Sequence, residues 1–163
     1  GVVQQAAHQA LVDLREVLGV LRDGPGDSVP ELPQPSAADL PALVEEACRA
    51  GTRVTLDRGV DLDAVPDLLG RTVYRIVQEG VTNARKHAAG AVVTARVAGS
   101  PGEGLCVEVV NPLRIGDRTT RTPASGLGLI GMAERTSLAG GRLSHRITPD
   151  HDFVLEAWLP WPE

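Results

Sequence analysis

Aromatic side chains are nearly missing from this chain: one Tyr, one Phe and two Trp make up 2% of its 163 residues. A core has to be assembled from Val, Leu, Ile and Ala instead. Cysteine is almost as scarce. Cys48 and Cys106 are too far apart in sequence for a metal-binding knuckle, and buried, reduced thiols are the expected state. Positive charge is in deficit, with 16 Lys and Arg against 21 Asp and Glu and a net charge of −5. The electrostatic footprint of a nucleic-acid-binding protein is therefore lacking. No run of about eighteen apolar residues is available to span a bilayer, and no secretory signal is evident. These absences predict a soluble, cytoplasmic piece with no nucleic-acid or membrane contact of its own, which leaves a membrane-anchored parent open. What is present, 42% hydrophobic and 23% charged residues, is the composition of a globular domain.

Along the chain, Ala7, Leu11, Leu14, Leu18 and Leu21 alternate steps of four and three, which predicts a helix over 3–23 with one apolar seam. One such helix cannot bury its seam alone and needs partner helices. Gly, Pro, Ser and Asp cluster over 24–38 and read as a linker, so the main domain is expected over 39–163. Asp39 is a candidate N-cap for a helix reaching about Ala50, with Pro41 in its first turn and Gly51 as its stop. Alternation of Val54 and Leu56 with polar neighbours predicts a strand over 52–57, and 58–65 a loop. Pro66 opens a long helix to about Ala89. Two strands follow, one on Val93, Ala95 and Val97 and the other on Leu105, Val107 and Val109, joined by a turn over Ser100–Gly104. Residues 112–125 carry turn formers and the arginines Arg114, Arg118 and Arg121, and read as a mobile loop. Helical spacing returns from Gly128 to Ala139, and a hairpin around Pro149–Asp152 closes the chain. His145 and His151 have no His or Cys partner at metal spacing, and His8 reads as an ordinary surface residue. Trp158 and Trp161 are expected to cover a sheet edge or an interface. The order of elements is that of an α+β fold, with helices on one face of a mixed, mostly antiparallel sheet, plus the N-terminal helix.

The stretch from Arg75 to Ala88 carries the chemistry. Val73, Val77, Gly80, Val81, Ala84 and Ala88 fall on one side of its helix, and Arg75, Glu79, Asn83, Lys86 and His87 on the other. Glu79, Asn83 and His87 stack at i, i+4 and i+8. Asn is a poor residue for a helix interior, and Lys86 is the one lysine in the chain. Arg75, Ile76, Gln78, Glu79, Asn83, Lys86, His87 and Ala88 together resemble the N box of sensor histidine kinases, R-I-x-Q-E-x-x-x-N-x-x-K-H-A. That form belongs to the subfamily paired with LuxR-like response regulators, within the gyrase-like ATP-binding superfamily. The resemblance implies that Asn83 gives an oxygen to Mg²⁺ and that Lys86 and His87 lie near the phosphates of ATP. The chemistry suits these roles: Mg²⁺ prefers oxygen and few protein ligands, and lysine is a compact charge for phosphate.

Gly126-Leu-Gly-Leu-Ile-Gly-Met-Ala-Glu-Arg135 reads as a glycine-rich turn leading into a helix. Glycine lets backbone N–H groups approach a phosphate, and a helix N-terminus adds donors and dipole. Gly126, Gly128, Leu129, Gly131, Met132, Glu134 and Arg135 resemble the second glycine box of the same kinases. By that resemblance Gly126, Gly128, Leu129 and Gly131 line the phosphates and lid. The first glycine box departs from the family. Asn111 stands where an adenine-reading Asp is expected, and Pro112 and Leu113 replace its Asn/Asp and Gly neighbours. The Asn111 carbonyl can accept the same hydrogen bond without charge assistance, a loss of roughly 1 kcal/mol. The missing glycines suggest a stiffer hinge at the start of the lid.

Together the resemblances cover about 39–160. They imply a two-layer α/β sandwich that holds ATP and Mg²⁺ between the long helix and the loop after 111. They also imply transfer of the γ-phosphoryl to a histidine on a dimerisation hairpin, and relay to a response regulator. Leu14–Arg22 resembles the end of that hairpin's second helix. The first helix has no counterpart, so this is expected to be a fragment that binds nucleotide without phosphorylating itself, from a homodimeric bacterial parent. Glu79 is the candidate polariser of water or acceptor. Two alternatives stay open: an anti-sigma-factor-type serine kinase, and a degenerate interaction module that binds no nucleotide.

Overall fold

The structure, a computed structural model, describes residues 34–113 and 126–163. The expected helix over 3–23, His8, most of the linker and the arginines of the 112–125 loop lie outside them. Among the described residues five strands form one sheet: β1 (Arg53–Gly59), β2 (Val92–Ser100), β3 (Gly104–Pro112), β4 (Arg142–Ile147) and β5 (Asp152–Leu159). Their order is β1-β2-β3-β5-β4. β1 and β2 are parallel, and every other pair is antiparallel. The parallel pair follows from its connection, which contains a helix long enough to return the chain to the same end of the sheet. The described helices are α1 (Leu40–Arg49), α2 (Asp67–His87) and α3 (Gly126–Leu138). The α+β architecture expected from the order of elements is the one observed.

Period-two alternation decides which side of the sheet is covered. Leu105, Val107 and Val109 of β3 face Leu159, Ala157 and Leu155 of β5 in register, and all six are buried. Val93, Ala95 and Val97 extend that layer onto β2. α2 lays Leu69, Val73, Ile76, Val77, Val81 and Ala84 over it. Each aliphatic side chain fully buried in this way stabilises the fold by about 1.5–3 kcal/mol. The opposite face carries charge. Arg96 pairs with Asp57 at 3.3 Å, and Arg146 with Glu156. Glu156 lies directly opposite Glu108. These are solvent-exposed pairs that stabilise little.

Several sequence expectations are corrected. Both cysteines are exposed. Cys48 sits on the outer side of α1, and Cys106 alternates with the inward Leu105 and Val107, so β3 turns its thiol to the charged face. Asp39 occupies the N-cap position of α1 as expected, but its carboxylate makes no cap bond to α1 and instead accepts a hydrogen bond from Ser36 N at 2.8 Å, bracing the short turn Ala37–Asp39. Ala37 of that turn is part of the core. The 58–65 loop contains a helical turn, Leu62–Ala64. Trp161 is 7% exposed and packs in the core, where a chain with so few aromatics gains most from its large surface. Trp158 stays on the outer face beneath Arg142, whose guanidinium lies 4.7 Å from its ring centre.

Candidate functional site

α2 begins after Pro66, whose fixed backbone angle and lack of an N–H suit the entry to a helix. It ends with Arg85, Lys86 and His87 in its last turn, where cations offset the negative end of the helix dipole. Lys86 and His87 are both exposed there.

Asn83 is the surprise of this helix. The pattern assigns it to the polar side, yet it is only 5% exposed. Ile76, Gly80 and Asn83 recur at i, i+4 and i+7, and all three are buried, so the covered arc is wider than the apolar residues alone suggest. The stripe Glu79–Asn83–His87 thus runs from half-buried through buried to exposed. No hydrogen bond joins the Asn83 amide to another described residue.

The closeness of α2 to the sheet has a specific cause. A Cβ built on Gly80 would come within 2.8 Å of Val109 Cγ1 and 3.1 Å of Val109 Cγ2. Only glycine lets the helix settle this far onto β3. Asn83 follows Gly80 by three residues along α2, and Asn111 follows Val109 by two along β3, on the same covered side.

Asn111 is 2% exposed. Its side-chain nitrogen donates one long hydrogen bond, 3.4 Å, to the carbonyl of the next residue, Pro112. Pro112 still belongs to β3, in register with Asp152. Leu113 N then donates to His151 O at 2.8 Å. His151 sits at φ 65°, in the left-handed region, at the tip of the β4–β5 turn.

α3 begins at Gly126, two residues ahead of the expected start, so the first residues of the glycine-rich stretch already belong to the helix. Leu129 and Met132 are buried in the core. Gly128 faces α2: a Cβ there would stand 2.6 Å from Glu79 Oε1. The structure therefore brings together Glu79 and Gly128, from two stretches that are remote in sequence. It does not do this for Gly131, whose added Cβ would meet only Arg135, at 3.8 Å. Among the described residues no group of His, Cys, Asp and Glu is arranged to hold a metal ion by itself.

The described residues thus form a five-stranded mixed sheet covered on one side by helices, with buried amides at the helix–sheet interface. The chain is 34% identical over 118 residues to the sensor histidine kinase YxjM of Bacillus subtilis, covering 72% of this chain and 27% of that protein. It is 29% identical over 160 residues to the sensor histidine kinase LnrJ of the same organism, covering 96% of this chain and 36% of that one. The blue-light activated histidine kinase of Erythrobacter litoralis EL346 superposes with a TM-score of 0.59 at 22% identity, over 77% of this chain and 45% of that one. The catalytic domain of histidine kinase ThkA superposes with a TM-score of 0.56 at 14% identity, over 76% of this chain and 93% of that domain. No protein-family model matches the chain. In sequence the chain is similar to sensor histidine kinases and in fold to their catalytic domains, and it spans 27% and 36% of the two curated relatives.

Proposed function

We propose that this domain binds Mg-ATP between α2 and α3 and donates the γ-phosphoryl to a histidine on a dimerisation hairpin, for relay to a response regulator. The observation that carries this reading is the pair of buried amides, Asn83 and Asn111. One has no hydrogen bond to a described residue and the other has a single long one. Each keeps hydrogen-bonding capacity that the described residues do not use, which suits it to a ligand. In this reading Asn111 reads adenine, and Lys86 and His87 contact phosphate oxygens at the open end of α2. Asn83 supplies the protein oxygen to Mg²⁺, which offsets the charge of the triphosphate. Gly126, Gly128, Leu129 and Gly131 form the wall on the α3 side. Glu79, half-buried beside Gly128, polarises water or the acceptor.

The hairpin, the homodimeric cytoplasmic parent and a LuxR-like regulator partner belong to the same proposal. No described helix is long and apolar enough to cross a membrane. The Pro112 pairing and the Leu113–His151 hydrogen bond support the idea of a stiff hinge where the family has glycine.

Calorimetric titration of Mg-ATP into this chain tests the reading. Micromolar to submillimolar binding is expected. Asn83→Ala is expected to weaken it about tenfold or more, the effect of losing a charge-assisted contact. Asn111→Ala is expected to weaken it several-fold. No heat and no thermal shift at millimolar nucleotide would overturn the proposal in favour of an interaction module.

A further inference from the structure

We propose that Gly128 is a positioning residue for the Glu79 carboxylate, a role separate from any approach of its backbone to phosphate. This deepens the nucleotide reading and rests on it.

The space a side chain at 128 would fill is already taken. An ideal Cβ would lie 2.6 Å from Glu79 Oε1, 3.3 Å from Cδ and 3.9 Å from Oε2. The carboxylate is thus lodged against the first turn of α3, near the positive end of that helix's dipole. Glu79 is also one turn before Asn83 on α2, on the same stripe of the helix as the amide proposed to face the metal. Gly131, the next glycine of α3, has no comparable neighbour. The slot belongs to position 128 alone of those two.

The obstructing atoms are the far end of a flexible side chain. A methyl at 128 therefore displaces the carboxylate instead of prising the helices apart. The fold keeps its stability and gains helix propensity from alanine, while the reactive group loses its place. A shift of about 1 Å in such a group is enough to cost a large factor in rate.

Slow hydrolysis of ATP by the chain reports on this. There the water oxygen forms a bond to the γ-phosphorus, the bond from that phosphorus to the β-bridging oxygen breaks, and ADP leaves with the electron pair. The water proton passes to the Glu79 carboxylate. Gly128→Ala is expected to lower kcat by about tenfold or more, with KM and the calorimetric Kd within about twofold of wild type and Tm unchanged or raised. In the labelled chain without nucleotide, the carboxyl carbon resonance of Glu79 should move. Shortening the acid in Glu79→Asp/Gly128→Ala is expected to restore part of kcat. Glu79→Gln should be as slow as Gly128→Ala, and the two together no slower than either. Ile130→Ala, at an exposed position of the same helix, is the neutral control.

An unmoved Glu79 resonance in Gly128→Ala overturns the positioning role. So does a fall in kcat matched by an equal loss of affinity, which would place Gly128 on the phosphates. A wild-type chain that binds Mg-ATP but hydrolyses none, or a Glu79→Gln chain that hydrolyses at the wild-type rate, removes the acid from catalysis and this role with it. Failure of the wild type to bind Mg-ATP at all is the separate failure of the nucleotide reading.

Discussion

Replacing Gly80 with alanine sets two terms of similar size against each other. Alanine in a helix interior is favoured over glycine by about 1 kcal/mol, so an exposed Gly80 would predict a more stable protein. The structure predicts the reverse. The new methyl would meet three carbons of Val109 at 2.8, 3.0 and 3.1 Å. Val109 has nowhere to go: it is 1% exposed and held between Ala95 of β2 and Leu155 of β5 in the middle of the sheet. Forcing a methyl into a packed core costs about 1–3 kcal/mol. With the propensity gain subtracted, a net loss of about 1–2 kcal/mol remains in the harsher half of that range. For a domain of this size that lowers Tm by roughly 3–8 °C. Urea unfolding gives the free energy directly, and an unchanged m-value confirms that the native state alone is affected. Val109→Ala in the same chain makes room for the methyl, so the double variant should lose clearly less than the sum of the single losses. A Gly80→Ala protein that is more stable than wild type would refute the close approach of α2 to β3. Additive losses would refute Val109 as its cause. The same change should also weaken Mg-ATP binding, because Asn83 lies one turn further along the displaced helix.

Four further outcomes are expected. Thr136 is fully buried and its hydroxyl has no described partner, so Thr136→Val, of nearly the same shape, should stabilise the domain by about 1 kcal/mol in denaturant unfolding. His151→Gly relieves a left-handed backbone at φ 65° and should stabilise by up to about 1 kcal/mol, measured the same way. Tyr74 is the single tyrosine, and burial, with Glu46 and Asp39 nearby, raises its pKa above the ordinary value of 10.0 against a smaller opposing effect of Arg75. Its phenolate absorbance should rise only above that pH. Because the folded value exceeds the unfolded one, its contribution is complete below the unfolded pKa and is lost as pH climbs through the folded one. Asn111→Asp should tighten Mg-ATP binding several-fold by restoring a charged acceptor for adenine, while the buried acid lowers Tm of the nucleotide-free chain.

Much of this protein was legible from residue order. Alternation placed β2, β3 and β5 and chose their covered faces, because a strand has only two sides and the chain has little but Val, Leu and Ala to bury. The same alternation pointed Cys106 outward, against the general habit of cysteine to be buried. Helical spacing located α1, α2 and α3 to within two residues, and two short stretches carried the kinase resemblance. Tertiary contact decided what periodicity cannot carry. The polar label of Asn83 hid its burial, because the width of a helix's covered arc depends on how closely its neighbours approach, and that is set by Gly80 meeting Val109. Pairing of Glu79 with Gly128 is likewise invisible in a string of residues: it exists only where α2 and α3 pack, and it shows as a missing side chain rather than a present one.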